Sequence, residues 1–301
     1  MSVPTILSAI IVTNRKPAEL DGAITNLLNQ DRPPEEIIVL DNDPQGSAKQ
    51  AEHIGDRTIR YLCPGEDLGP VAGRNRAAAA AQGDTLLFMW DFMRFDKYHV
   101  ANTVMNAMRP REIACLAFQV RDASSHELVP EEYPAQKTAR STEGRAVSLL
   151  SNSVFAMRKV AFDELGGFDE RLFGGEEGID LAYRACRAGW QIRYMPDILV
   201  NYRMTMRDPA PCPAAYRYLR NRVLIALKHL PFPYVATHAL VWGIFSLYMS
   251  IREKETAGFT RAVKSFKEEG LWQAAQEYRR ANPPSWQFAN QLQKREGRVF
   301  F

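Results

Sequence analysis

The sequence is poor in residues that staple or ligate. Its four cysteines, Cys63, Cys115, Cys186 and Cys212, stand far apart with no Cys-x-x-Cys pair. That argues against a disulfide framework and a structural zinc site, and leaves reduced, buried thiols as the expectation. The five histidines, His53, His99, His126, His229 and His238, lack metal-ligand spacing and read as ordinary surface or core residues. No internal repeat and no low-complexity tract is present, which excludes solenoid architectures. The opening Met1-Ser-Val-Pro-Thr-Ile6 lacks the basic segment of a secretory leader, so the expected location is cytoplasmic, with a peripheral place at a membrane left open. The uncharged stretch from Tyr234 to Ser250 has 17 residues and includes Thr237, His238 and Ser246. It falls short of the roughly 20 apolar residues of a spanning helix, and predicts a buried or interfacial helix.

What is present suits a soluble globular chain. With 301 residues, 46% hydrophobic and 24% charged, it can form one large α/β domain with an appendage or two modest domains. The net charge of +3 hides an asymmetry: residues 216–301 carry 14 Lys+Arg against 6 Asp+Glu, a net of +8, which leaves −5 for residues 1–215. A basic segment attracts phosphates or anionic surfaces, although a solvated helical face explains it equally. With no reading helix and no aromatic platform, nucleic acid is not an expected partner.

Along the chain, strand and helix patterns alternate. Ser8-Ala-Ile-Ile-Val12 and Glu36-Ile-Ile-Val-Leu40 read as strands buried on both faces, followed by strands near 58–62 and at 85–89. Helices are expected at 17–29, at 47–54 and from Gly69-Pro-Val-Ala-Gly-Arg-Asn-Arg76 onward. Further strands are expected at 113–120, 151–157, 191–195 and 198–202, with a polar segment, 121–145, contributing a loop over the site. This alternation predicts a doubly wound, mostly parallel sheet with ligands at the carboxyl ends of the strands, where Asp41 and Asp91 lie. Either aspartate also suits an ordinary turn.

The most distinctive stretch is Phe173-Gly-Gly-Glu-Glu-Gly-Ile-Asp-Leu-Ala-Tyr-Arg184. Two glycines allow a sharp turn, and Glu176 and Glu177 then stand at the start of a helix, with Asp180 and Arg184 one turn apart. The carboxylates either act chemically or merely complement the helix N-terminus.

Asp41 after a strand, the segment from Gly69 to Arg76 before a helix, the strand leading to Asp91, Gly166-Gly-Phe-Asp-Glu170 and Gly-Glu-Glu-x-x-Asp-Leu together resemble a family 2 glycosyltransferase of the GT-A fold over most of residues 6–204. The resemblance implies an α/β, Rossmann-like domain over 1–213, with a nucleotide-binding half at 1–95 and an acceptor half at 96–213. The basic region 214–301 would be a helical C-terminal extension. It further implies an inverting enzyme that moves a sugar from a nucleotide diphosphate donor, a UDP- or dTDP-sugar, to an acceptor hydroxyl or amine. The acceptor would be a small molecule, a saccharide or lipid-linked. Thr13, Asn14, Arg15, Asp41, Gly69, Arg74 and Asp91 would bind the donor, and Glu177 would be the general base with Glu176 in reserve. A single displacement needs such a base beside the acceptor and a cationic environment for the departing diphosphate.

Two departures stand against the pattern. The family's acid-x-acid metal motif falls on Trp90-Asp91-Phe92, and the position of a later histidine falls on Tyr202. Asp91 alone would hold Mg²⁺ or Mn²⁺ weakly, through the diphosphate. In one reading, Arg203 and Arg207 replace the metal at the diphosphate. In the other, the domain is catalytically degenerate and serves as a binding or scaffolding subunit. Contact with a membrane surface or a second copy is expected, if anywhere, through the C-terminal region.

Overall fold

Leucine-rich and β-branched runs form the centre of one twisted sheet. In the computed structural model, which describes residues 6–14, 16–54, 59–134, 143–203, 213–254 and 257–295, four strands pair in parallel. They are β1 (Leu7–Thr13), β2 (Glu36–Asp41), β3 (Ile59–Leu62) and β4 (Thr85–Trp90), in the order β3-β2-β1-β4. Every residue of β1 is buried, because successive side chains point to opposite faces and both faces are covered. Ile10, Val12, Ile38 and Phe88 enter one core, whereas Ala9, Ile11, Ile37 and Met89 enter the other. Two helices, α1 (Pro17–Leu28) and α2 (Gly69–Ala80), each carry a proline in the first turn, where its missing N–H leaves no gap. Leu20, Ile24 and Leu27 of α1 pack on the second core and Val71, Ala77 and Ala78 of α2 on the first, so the helices lie on opposite faces.

The second half extends the same sheet. It supplies β5 (Met93–Phe95), α3 (Val100–Ala107), β6 (Ile113–Asp122), β7 (Arg145–Val147), β8 (Phe155–Arg158), α4 (Lys159–Glu164), α5 (Glu177–Arg187) and β9 (Gln191–Tyr202). The order continues β4-β8-β6-β9; β8 runs antiparallel to both neighbours, and β6 and β9 are parallel. The far edge of β9 is shared by β7 and β5.

Local forces explain where this differs from expectation. The helix expected over 47–54 is one 3₁₀ turn, Lys49–His53, preceded by a loop whose Ala48 N–H donates to Asp41 at 2.8 Å. The strand expected from Ser151 begins only at Phe155, since Ser151 Oγ accepts from the N–H groups of Ser153 and Val154 and turns the chain. The two strands expected at 191–202 are a single strand. Its pairing to β6 jumps from Met195 to Leu199 around Pro196, which has no N–H for the ladder.

Beyond residue 213 the chain is helical: α6 (Ala214–His229), α7 (Phe232–Arg252), α8 (Ala257–Glu268), α9 (Leu271–Ala281) and α10 (Trp286–Lys294). Tyr216, Leu219 and Leu224 of α6 join the core that holds Ile10 and Phe88, so this region is docked on the body. With 21 residues, α7 exceeds the uncharged stretch read from the sequence, and its length and composition would suffice to cross a membrane.

Candidate active site

A cleft of about 820 Å³ opens at the carboxyl ends of β1 and β4. Thr13 and Asn14 border it from β1, Asn42 from the loop after β2, and Trp90, Asp91 and Phe92 from the end of β4. Thr13 Oγ1 donates to Asp91 Oδ2 at 2.6 Å, which ties the two strand ends together. Gly69, at φ +72°, and Pro70 line the same side, with the Gly69 N–H held by Asp67 at 2.8 Å. Across the cleft lie Glu131, Glu132 and Tyr133, from the polar segment expected to cover the site.

The acidic turn forms the opposite wall. Gly174, Gly175 and Glu176 have φ of +74°, +137° and +68° in succession. Such a conformation costs an L-residue about 1–2 kcal/mol, so Glu176 must be held by its neighbours. Asn221 of α6 does so: its Nδ2 donates to the carbonyls of Phe173 and Gly175 at 3.0 and 3.1 Å and to Glu176 Oε2 at 3.2 Å. Arg222 Nε donates to Glu176 Oε1 at 3.3 Å. Burial pushes the Glu176 carboxyl up from its ordinary value, and the Arg222 and Arg217 cations oppose the rise.

Glu177 is the first residue of α5 and is 2% exposed. Its Oε1 accepts from Arg74 Nη2, and its buried Oε2 has no protein partner. Arg74 also donates to the carbonyls of Asn152 and Pro70 at 2.9 and 3.2 Å, and its guanidinium lies over the rings of Phe168 and Trp90 at 4.4 and 5.0 Å. Asn152 Oδ1 accepts from the Gly178 N–H at 2.7 Å, which fixes the first turn of α5 against the cleft. One oxygen of Glu177 is therefore clamped, and the other is buried without a protein partner, in a residue that lines the cleft.

Several expected positions need correction. Asp41, expected to bind the donor, is fully buried and does not line the cleft. Its oxygens accept from the N–H groups of Asp43 and Ala48 and from the Tyr61 hydroxyl, so it anchors a loop while Asn42 beside it borders the cleft. Arg74, also expected to bind the donor, is committed to Glu177. Arg203, expected at the diphosphate, points to α1, where Nη1 donates to both oxygens of Glu19 at 3.1 and 3.0 Å. Arg15 and Arg207 lie outside the described residues. Asp180 does pair with Arg184, at 2.7 Å, but it also binds Lys228 and His229 in a fully buried network away from the cleft.

The C-terminal helices supply what the sequence reading overlooked. Arg217, Tyr218 and Arg222 of α6 and Trp242 and Phe245 of α7 line the cleft beside the acidic turn. The Arg222 guanidinium lies 3.9 Å over the Trp242 ring. Arg217 donates to the Gly174 carbonyl, and its buried Nε has no protein partner. The clue in the sequence was the excess of basic residues after position 215, without a pattern to say which of them turn inward.

The described side chains at the cleft do not fit a divalent cation held by protein ligands alone. Among the described residues no group of three His, Cys, Asp or Glu converges as metal ligands. Asp91 is flanked by Trp90 and Phe92, whose rings stack 6.1 Å apart, and one of its oxygens accepts from Thr13.

The sheet order, the site at the strand ends and the acidic turn define a GT-A domain. Solved structures support that fold. The chain aligns with GalNAc-T7 crystallised with UDP, GalNAc and Mn2+ over 91% of its own length and 59% of that chain, with a TM-score of 0.62 and 16% identity. With TarS 1-349 of S. aureus in complex with UDP-GlcNAc the coverage is 93% and 82%, the TM-score 0.58 and the identity 16%. Residues 8–166 match the family model of glycosyl transferase family 2, and the chain belongs to that family. Among curated relatives, an N-acetylglucosaminyl-diphospho-decaprenol L-rhamnosyltransferase of Mycobacterium tuberculosis is 43% identical over 88 residues, 28% of each chain. The pre-mycofactocin glycosyltransferase of the same species is 25% identical over 182 residues, 57% of this chain and 38% of that protein. The O-antigen chain rhamnosyltransferase WbaN of Salmonella anatum is 23% identical over 186 residues, 58% of each chain. The matched stretch thus spans 28% to 58% of the length of these relatives.

Proposed function

We propose that the protein is an inverting glycosyltransferase that moves a sugar from a nucleotide diphosphate donor to an acceptor hydroxyl or amine, with Glu177 as the general base. The observation that carries this reading is the asymmetry of the Glu177 carboxylate. Arg74 and the start of α5 fix its direction, and Oε2 keeps its capacity to accept the acceptor's proton as the new bond forms. The nucleotide is assigned to the side bordered by Thr13, Asn14, Asn42 and Gly69, with the diphosphate reaching across to Arg217 and Arg222, and the acceptor enters beside Glu177 on the face of the sugar away from that diphosphate.

The departing diphosphate requires cations, and Arg217 and Arg222 take that role in place of Arg203. Both border the cleft beside Glu176, and guanidinium groups grip phosphate oxygens bidentately. With no converging ligand set among the described residues, transfer is expected to proceed without a protein-held metal. The donor is a UDP- or dTDP-sugar, and the acceptor a saccharide or lipid-linked molecule.

A thermal-shift and transfer panel of UDP-, dTDP- and GDP-sugars, run with EDTA and with Mn²⁺, tests this. A shift with one donor class and transfer that survives EDTA are expected. Arg217→Ala should weaken donor binding about tenfold or more, the value of one charge-assisted hydrogen bond, and Arg203→Ala should leave it unchanged. No shift with any donor would favour a degenerate binding domain, to which Trp90 and Phe92 at the metal-motif positions lend weight. An absolute need for Mn²⁺ would refute the cation assignment.

A further inference from the structure

The polarity of α7 is reversed relative to a helix packed on a water-soluble body. Its polar residues His238, Ser246 and Ser250 are buried against the domain, each 2% exposed or less. Leu240, Val241, Ile244, Leu247 and Ile251 face outward and are 50% to 67% exposed. Two of them bond within the body: Ser246 Oγ donates to the Ala215 carbonyl at 2.6 Å, and His238 Nδ1 is 2.7 Å from the Tyr234 carbonyl. An apolar stripe about 30 Å long, without one formal charge between Phe232 and Ile251, therefore faces out of the molecule. Stripes of this size mark a surface that is covered in use.

We infer that α7 is a docking surface for an anionic lipid membrane and lies along it without crossing it. Crossing would require α7 to leave α6, to which it is joined by the Ser246 bond and by Tyr218 packed on Trp242 and Phe245 at 5.7 and 5.6 Å. The ends of the stripe carry the groups that favour a lipid headgroup layer. At one end the exposed Trp286 ring lies 5.5 Å from Tyr234, and an indole suits the boundary between lipid and water. At the other, Arg252 and Lys254 are exposed on either side of Glu253, and the following helix α8 exposes Lys264 and Lys267. Part of the +8 over residues 216–301 is buried with Arg217, Arg220 and Lys228, and the exposed cations that remain complement an anionic surface and oppose a second copy of the same face. Because Trp242 and Phe245 of the same helix line the cleft, docking brings the cleft to the lipid boundary. The inference does not rest on the chemistry proposed for the cleft.

The test is co-sedimentation of the full chain with vesicles of phosphatidylcholine alone or mixed with phosphatidylglycerol. The protein should pellet with the mixed vesicles and be released by salt. Leu240→Glu/Ile244→Glu should reduce binding about tenfold or more at unchanged melting temperature, since both side chains already face solvent. Arg252→Glu/Lys254→Glu should abolish the preference for the anionic vesicles, and it serves as a second variant should the first fail to fold. The inference is overturned if the protein stays in solution with both vesicle types. It is equally overturned if light scattering finds a dimer that the double glutamate variant dissolves while no vesicle is bound. Donor-induced thermal shifts, measured in parallel, separate failure of the lipid surface from failure of the proposed function.

Discussion

Replacing Arg74 by methionine probes the contact on which the site is built. The guanidinium and the Glu177 carboxylate are 4% and 3% exposed, so neither is screened by water. Losing one partner of such a pair costs about 3–5 kcal/mol, because the other charge stays buried and unpaired. Arg74→Met leaves both oxygens of Glu177 without a partner, and it also removes the bonds to the Asn152 and Pro70 carbonyls and the contacts with Trp90 and Phe168. Against a total stability of about 5–15 kcal/mol, that is a large fraction. Glu177→Gln alone leaves Arg74 with a neutral partner, and the double variant removes the unpaired charge altogether. Urea denaturation of the four proteins should therefore give a double variant more stable than the sum of the single effects by about 2 kcal/mol or more. Additivity within about 0.5 kcal/mol would mean that the pair does not hold the turn, and the reasoning would fail.

Other perturbations follow from the same geometry. Because Glu176 sits at φ +68°, Glu176→Gly should be more stable than Glu176→Ala by about 1 kcal/mol, as both lose the carboxylate contacts but only glycine relieves the backbone; equal midpoints in urea would show that the left-handed conformation carries no strain. Burial lowers the pKa of His229 to about 4 from its ordinary 6.5, against the pull of Asp180, whose own carboxyl is held well below the usual range. As pH falls from 6.5 to 4 the unfolded chain binds a proton at His229 that the folded chain refuses, so stability should drop by about 3 kcal/mol over that window. Denaturation across this range checks it, and His229→Gln should flatten the slope; an unchanged slope would assign the loss to other groups.

How much was legible depended on whether the signal was local. Apolar runs such as Ser8–Val12 carry their burial in their own composition, and the double glycine before Glu176 announced a turn that only glycine and a restrained residue tolerate. The parallel pairing then followed from alternation, and the pair Glu176-Glu177 was legible at the start of a helix, whereas the choice of Glu177 as the base came from the family resemblance. Partners distant in the chain were invisible. Arg74 and Glu177 are 103 positions apart, and nothing in either segment says that the cation turns from the donor to the acid. Asp41 and Asp91 look alike as strand-terminating aspartates, yet the N–H groups of its own loop draw the first inward while the second stays on the cleft. Arg203 failed for a similar reason, since Glu19 on α1 offers it a carboxylate outside the cleft. The site was also less confined to residues 1–213 than expected. A basic helix patterned for burial does not reveal which arginines will face a cleft built by another part of the chain, and Arg217 and Arg222 emerged only with the packing of α6.

The direct test of the account is to measure donor binding and sugar transfer separately in Glu177→Gln. The amide keeps the size of the side chain and a hydrogen-bonding oxygen for Arg74 but accepts no proton in the reaction. Isothermal titration should give a donor affinity within a few-fold of the parent, while transfer falls by about 10²–10⁴, the usual contribution of a general base. Transfer at nearly the parent rate with intact donor binding would contradict the assignment of Glu177 as the base.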